Sequence, residues 1–138
     1  MSRTYPDLTH FEWTEFLCKC GDPSHTIQDI PQTYIEFVLH VDSVVRPNAG
    51  FPFYVSSGWR CEQHPIEKGK SAPGPHTLEG MDVLCSHQKA YKLVGIAIED
   101  PVITGIGISQ KGPLESRFVH IDGCFKTPYR PRPHLWTY

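Results

Sequence analysis

Two segments organise this sequence, Pro75-His76-Thr77-Leu78-Glu79-Gly80-Met81-Asp82 and Arg117-Phe118-Val119-His120-Ile121-Asp122. The first carries a histidine and a carboxylate six residues apart, and the second places a histidine in a short apolar run that is typical of a β-strand. Two imidazoles and one carboxylate are ligands of the kind that a catalytic zinc takes, with a fourth position left for water. We therefore take His76, Asp82 and His120 as candidate metal ligands, against the simpler interpretation that each histidine is an ordinary structural residue.

The strand period predicts which of these side chains share a face. Alternate side chains of a strand point the same way, so His120 and Asp122 are expected on one face of a sheet, and Val119 and Ile121 on the other. Asp82 stands among apolar neighbours, where an unpaired carboxylate would be costly to bury. If Asp82 lies on a neighbouring strand, a metal ion can join it to His120; an arginine or a helix N-cap is the alternative partner.

Length and composition limit the function classes. A chain of 138 residues fits a single domain, which we place over residues 1–138. The formal net charge of −2 comes without a long basic run, so we expect no nucleic-acid partner. No apolar run approaches the roughly 20 residues of a membrane span, and the first residues lack the apolar region of a signal peptide. We expect a protein that is cytoplasmic as synthesised.

The sequence pattern predicts an α+β fold with a small antiparallel sheet packed against helices. The predicted elements are a helix over 31–45, strands over 53–57, 80–84, 102–108 and 117–122, and a helix over 87–99, with a long loop over 62–75. The last two strands are antiparallel if a hairpin joins them. Only Asp42 interrupts the apolar stripe of the first helix, and the proline-rich tail over 128–138 is expected to dock on the body.

The five cysteines form no familiar pattern. Cys18 and Cys20 are separated by one residue, unlike the two-residue spacing of a zinc ribbon. With a third partner such as His25 they would form a structural metal site. The favoured interpretation is that the cysteines are small buried hydrophobic residues, since an odd number cannot be fully paired within one chain.

Several motifs follow one another in an order typical of one enzyme family. They are Phe16-Leu17-Cys18-Lys19-Cys20-Gly21, Ser57-Gly58-Trp59-Arg60-Cys61, Gly74-Pro75-His76-Thr77 with Gly80-Met81-Asp82-Val83, the block from Gly105 to Asp122, and Arg132-Pro133-His134-Leu135-Trp136-Thr137-Tyr138. Together they resemble the M15 zinc peptidases, the D-alanyl-D-alanine carboxypeptidase group with the Hedgehog-type fold. The resemblance is strongest to small phage endolysins and bacterial members, and it covers nearly the whole chain.

The resemblance implies a zinc ion held by His76, Asp82 and His120. It also implies that Arg60 binds a substrate carboxylate or the scissile carbonyl, and that the substrates are peptidoglycan stem peptides. Three positions depart from the family pattern. The step from His76 to Asp82 is six residues rather than seven, Gly74 replaces a serine, and Arg117 stands where some relatives have an acidic base.

We therefore expect a zinc metallopeptidase that cuts amide bonds in peptidoglycan and acts on the cell wall if it is released. Asp122 is the first choice for the general base or for a residue that orients a ligand, and Glu115 is the second choice for the base. Two alternatives stay open, a non-catalytic cell-wall-binding module and a metal-free structural protein of a virion. The oligomeric state is left open, with a monomer as the expectation.

Overall fold

Five strands form one sheet in the computed structural model, which describes residues 5–138. They are β1 (Tyr54–Ser57), β2 (Gly80–Leu84), β3 (Gly105–Ser109), β4 (Phe118–Asp122) and β5 (His134–Thr137). Their order in space is β1-β2-β4-β3-β5, and every neighbouring pair is antiparallel except β3 with β5. The expected α+β class and the antiparallel pairing of β3 with β4 are confirmed.

Four α-helices accompany the sheet, two before β1 and two after it. They are α1 (Gln32–His40), α2 (Arg46–Ala49), α3 (Pro75–Leu78) and α4 (His87–Glu99), with 3-10 turns at Trp13–Phe16, Ile27–Asp29 and Leu114–Ser116. Within residues 5–138, none of these helices has the length and apolar character needed to cross a membrane.

The first helix is longer than predicted. A π-helical turn, Val41–Val45, joins α1 directly to α2, so the predicted end at residue 45 is wrong. Pro47 does not end the helix: it stands in the first turn of α2, directly after the π-helical turn, and the helix continues past it to Ala49. The helix ends instead at Gly50, whose φ of 73° is the left-handed conformation that favours glycine at this position.

One face of the sheet belongs to the core. Met81 and Val83 from β2 and Val119 and Ile121 from β4 are fully buried there, and α4 packs across β3 and β4. The helices contribute further buried side chains, namely Tyr34, Ile35, Phe37, Val38, Ala90, Leu93 and Ala97. The predicted division of β4 into a core face and an opposite face is therefore confirmed, and the opposite face is left for the polar residues.

Asp42 interrupts the apolar stripe without disturbing the fold. Its carboxylate is buried and accepts hydrogen bonds from the backbone N–H groups of Thr9 and His10, at 2.9 and 2.7 Å. A buried carboxylate needs such partners. Asp42 thus fixes the entry segment against the first helix.

The proline-rich tail forms the edge of the sheet. Its last strand, β5, runs parallel to β3, with Trp136 opposite Gly107. A Cβ atom at Gly107 would lie 2.6 Å from Nε1 of Trp136, so only glycine allows the indole to lie over the strand. The expectation that the tail docks on the body is confirmed, although its strand was not predicted.

Candidate metal centre

The sheet register places Asp82 beside His120. The two residues are direct partners in the β2–β4 ladder, and Nδ1 of His120 lies 2.9 Å from Oδ1 of Asp82. His76 comes from α3, a single turn that precedes β2, and its Nε2 lies 3.1 Å from the same oxygen. The six-residue step from His76 to Asp82 therefore brings both side chains to one point.

The three candidate ligand atoms form a small triangle. Its third side, between Nε2 of His76 and Nδ1 of His120, measures 3.2 Å. The three side chains are almost wholly buried, with 5%, 6% and 2% of His76, Asp82 and His120 exposed. A tetrahedral zinc ion at about 2.0–2.1 Å from each ligand atom needs sides of about 3.3 Å, so the residues present fit such an ion closely.

The outer nitrogen of each imidazole has an oxygen acceptor. Nδ1 of His76 lies 2.9 Å from the carbonyl oxygen of Gly58, and Nε2 of His120 lies 2.8 Å from Oδ2 of Asp122. A proton on each outer nitrogen leaves a lone pair on each inner nitrogen, directed at Asp82. This is how metal-binding histidines are usually held, with the second ring nitrogen donating to a carbonyl or a carboxylate.

The protonation of the two rings decides how this cluster is held together. Two imidazolium ions would be buried with ring centroids only 5.0 Å apart, so at most one ring carries two protons. Without a metal that ring is His120: burial lowers its pKa, but the hydrogen bonds to Asp122 and Asp82 raise the pKa above its usual value. With a metal both rings stay neutral, and two imidazole lone pairs and one carboxylate oxygen are the donors, so the residues present fit a metal ion.

Asp122 lies on the far side of the His120 ring from Asp82. Its carboxylate is fully buried and accepts two hydrogen bonds from Arg132, at 3.0 and 2.9 Å, and one from the N–H of Cys124 at 3.2 Å. Burial by itself would raise the pKa of Asp122, but the hydrogen bonds from His120 and Arg132 lower it to about 2. Of the two roles predicted for Asp122, this position fits orientation of His120 better than the general base.

Glu115 does not approach the cluster. It lies exposed in the turn Leu114–Ser116, and in the described part of the chain it makes no hydrogen bond to His76, Asp82 or His120.

Arg132 is a residue of the site that the sequence did not reveal. Its guanidinium pairs with Asp122 and lies 5.2 Å from the ring centroid of Trp136, whose own ring is 5.2 Å from that of His120. A Cβ atom at Gly105 would collide with the Asp122 carboxylate, so the glycine makes room for this pair. Arg132 belongs to the closing sequence motif, but nothing in that motif indicates that its guanidinium pairs with Asp122.

Arg60 faces Oδ2 of Asp82, the carboxylate oxygen that the two histidines do not contact. Its Nη2 is 3.9 Å from Oδ2 of Asp82, its Nη1 is 3.7 Å from Oε2 of Glu67, and its Nε donates to Oγ of Ser57 at 3.1 Å. The side chain is 14% exposed, so it is mostly desolvated but still reachable from solvent. The predicted substrate-binding arginine thus does lie next to the candidate ligands.

The loop over 62–75 is anchored by Glu67, which sequence reasoning missed. The glutamate is only 5% exposed, although it lies in a loop rich in charged residues, proline and glycine. It accepts hydrogen bonds from Lys70 at 2.6 Å, from Thr77 at 3.1 Å and from the N–H of Gly74 at 3.1 Å. These bonds hold the loop against α3, the helix that carries His76.

A groove of about 800 Å³ adjoins the centre. Its lining includes residues 70–75, the segment from Thr127 to Arg132, and Trp136. Arg130 joins the first two segments by donating to the carbonyl oxygen of Pro73 at 2.8 Å. The three candidate ligands do not line the groove themselves, but Arg132 and Trp136, which contact Asp122 and His120, do.

Comparisons with known proteins leave the site to be interpreted from its own geometry. No protein-family model matches this chain, and neither a curated protein nor a solved structure matches it. The function proposed below therefore rests on the contacts around His76, Asp82 and His120 and on the motifs of the sequence.

Proposed function

We propose that this chain is a zinc-dependent peptidase of the M15 type, with the Hedgehog-type fold, that hydrolyses amide bonds in peptidoglycan stem peptides. One observation carries the proposal. The inner nitrogens of His76 and His120 meet one oxygen of Asp82 within 3.2 Å, while both outer nitrogens have oxygen acceptors. The order of the sequence motifs supports the family, and the α+β sheet is compatible with it.

Each residue of the centre has a task. A zinc ion in a site of three protein ligands lowers the pKa of water to about 7 and polarises a carbonyl oxygen. His76, Asp82 and His120 hold that ion. Arg60, next to Asp82, supplies a fixed positive charge for a substrate carboxylate or for the oxyanion that develops on the scissile carbonyl.

Asp122 acts through His120. Its carboxylate holds a proton on Nε2 of His120, which keeps Nδ1 free as a ligand atom, and it does not touch the reacting atoms. Asp122 is therefore a positioning residue in this proposal. Glu115, the second choice for the base from the sequence, is exposed and makes no hydrogen bond to the three candidate ligands, so Glu115→Gln is expected to cost little activity.

Arg130 is the cationic side chain of the groove best placed for an acidic peptide, because Arg132 is paired with Asp122 and Lys70 with Glu67. Peptidoglycan stem peptides carry free carboxylates, and a guanidinium in a cleft attracts such groups and orients them by charge-assisted hydrogen bonds. The substrate class proposed from the sequence is compatible with this arginine.

Hydrolysis of purified peptidoglycan sacculi tests the proposal. Zinc-loaded protein should release peptide fragments with new amino and carboxyl ends, detected by mass spectrometry, and a chelator should stop the release until zinc is restored. His120→Ala should be inactive, since two ligands hold zinc poorly, whereas His10→Ala, at an exposed position, is the matched control and should stay active.

Two results would overturn the proposal. Zinc binding and sedimentation with sacculi, without any released fragment, would identify a non-catalytic cell-wall-binding module. A protein that binds neither zinc nor sacculi would favour the structural alternative.

A further inference from the structure

A second cluster of candidate metal ligands lies between the entry segment and the segment that follows β1. It consists of Cys18, Cys20, His25 and Cys61, whose ligand atoms all lie within 4.8 Å of one another. Sγ of Cys61 is 3.5 Å from Sγ of Cys18 and 3.7 Å from Sγ of Cys20. The sequence suggested the first three as a set, but Cys61 comes from a segment 43 residues beyond Cys18.

We propose that these four residues form a second metal site, a closed structural zinc site of the Cys₃His type. A tetrahedral zinc ion with Zn–S bonds of about 2.3 Å requires sulfur atoms about 3.8 Å apart, close to both measured separations. A disulfide requires about 2.05 Å, so Cys18 and Cys61 are not paired in this structure. Four protein ligands leave no position for water, which makes the site structural and not catalytic.

The surroundings of the cluster support ligand roles. The N–H of Cys61 donates to Sγ of Cys18 at 3.3 Å, a contact that stabilises a thiolate. The carboxylate of Asp29 lies 3.6 Å from Nδ1 of His25, and the ring of Trp59 packs on the imidazole edge-to-face at 5.6 Å. Both contacts limit the rotation of the histidine, as neighbours of metal ligands commonly do.

The position of the cysteine cluster indicates what a metal ion would do there. The cluster joins the entry segment to the Ser57–Cys61 segment, which contains Arg60 and the Gly58 carbonyl that orients His76. The two segments already touch, since the N–H of Trp59 donates to the carbonyl oxygen of Phe16 at 3.0 Å. A Cβ atom at Gly58 would lie 2.7 Å from Cα of Phe16, so the contact is close. A zinc ion here would lock the backbone that positions the catalytic centre.

Metal analysis of the full chain, purified under reducing conditions, tests the proposal. The wild type should hold about two equivalents of zinc, and Cys20→Ser and His120→Ala about one each, because each loses a different site. Cys85→Ala is the matched control, since Cys85 lies outside the cluster, and it should keep both. Cys20 is partly exposed, so its replacement by serine leaves the buried core intact.

Cobalt substitution distinguishes the two centres. Only the cysteine cluster contains sulfur, so a near-ultraviolet sulfur-to-cobalt charge-transfer band should appear in the wild type and in His120→Ala. The band should be lost or strongly reduced in Cys20→Ser, together with a lower thermal stability. The wild type and His120→Ala suffice for the decision if Cys20→Ser does not fold.

A single metal equivalent in the wild type with no charge-transfer band would overturn the proposal. So would a mass and thiol count showing that Cys18 and Cys61 form a disulfide in the reduced, metal-supplied protein. These outcomes are independent of peptidase activity, because the band reports sulfur ligands whether or not the His76 centre hydrolyses anything.

Discussion

Replacement of Asp122 by asparagine separates the two roles that the sequence left open for it. The two oxygens of Asp122 accept four hydrogen bonds, one from His120, two from Arg132 and one from the N–H of Cys124. Asparagine offers one oxygen and adds an NH₂ donor, so His120 and Arg132 must compete for a single acceptor. Loss of such an outer carboxylate typically weakens metal affinity about 10–100-fold, equivalent to about 1.4–2.8 kcal/mol.

A competition titration with a chromophoric zinc chelator measures this affinity. We expect the zinc dissociation constant of Asp122→Asn to rise by about 10–100-fold. The hydrolysis rate at saturating zinc should fall by less than about 10²-fold, the smallest loss expected when a general base is removed. Glu115→Gln, at an exposed position, is the control and should match the wild type in zinc affinity. An unchanged dissociation constant with a rate loss of about 10²–10⁴ would refute the positioning role and make Asp122 the base.

Three further changes test other parts of the structure. Arg60→Ala should lose peptidase activity while the protein keeps its zinc and its fold. Arg60→Lys should retain only part of the activity, because lysine lacks the planar, bidentate guanidinium. A fall in melting temperature with unchanged activity would show that Arg60 forms only a structural salt bridge. Gly107→Ala should destabilise the protein by about 1–3 kcal/mol in urea unfolding, since the new methyl group displaces Trp136, whereas Gly95→Ala, with open space around it, should be neutral or stabilising. In the metal-free protein, the lowered pKa of Asp122 means that its contribution to the free energy of unfolding is complete above about pH 3.9 and is lost as the pH falls toward 2. Urea unfolding should therefore show a smaller loss of stability over that pH range for Asp122→Asn than for the wild type. An equal loss in both proteins would contradict the assignment.

The sequence predicted the face of β4 correctly because strand alternation is a local property of the backbone. Once His120 and Asp122 share a face and Val119 and Ile121 occupy the other, the core and the site are already divided. The apolar runs were strong enough to suggest both strands, but the pairing of Asp82 with His120 also depends on the neighbourhood and register of β2 and β4, which the sequence left open.

The remaining residues of the two centres could not be predicted because they arrive from distant segments. Arg132 comes from the tail and donates to Asp122. The strand in that tail packs Trp136 over Gly107, a contact that exists only once the sheet has folded. Cys61 lies beside Cys18 although 43 residues separate them in the sequence, so the local spacing of the cysteines does not reveal their contact. The same holds for the buried Glu67, because nothing in the polar composition of its loop indicates which residue is buried.

Anomalous X-ray scattering at the zinc absorption edge, measured on crystals of the protein purified without added metal, shows whether zinc occupies the triangle of His76, Asp82 and His120. We expect a zinc peak about 2.0–2.2 Å from Nε2 of His76, Oδ1 of Asp82 and Nδ1 of His120. The same peak should be missing from crystals of His120→Ala. A wild-type map without zinc density at that triangle, or with zinc bound through other atoms, would rule out this metal centre.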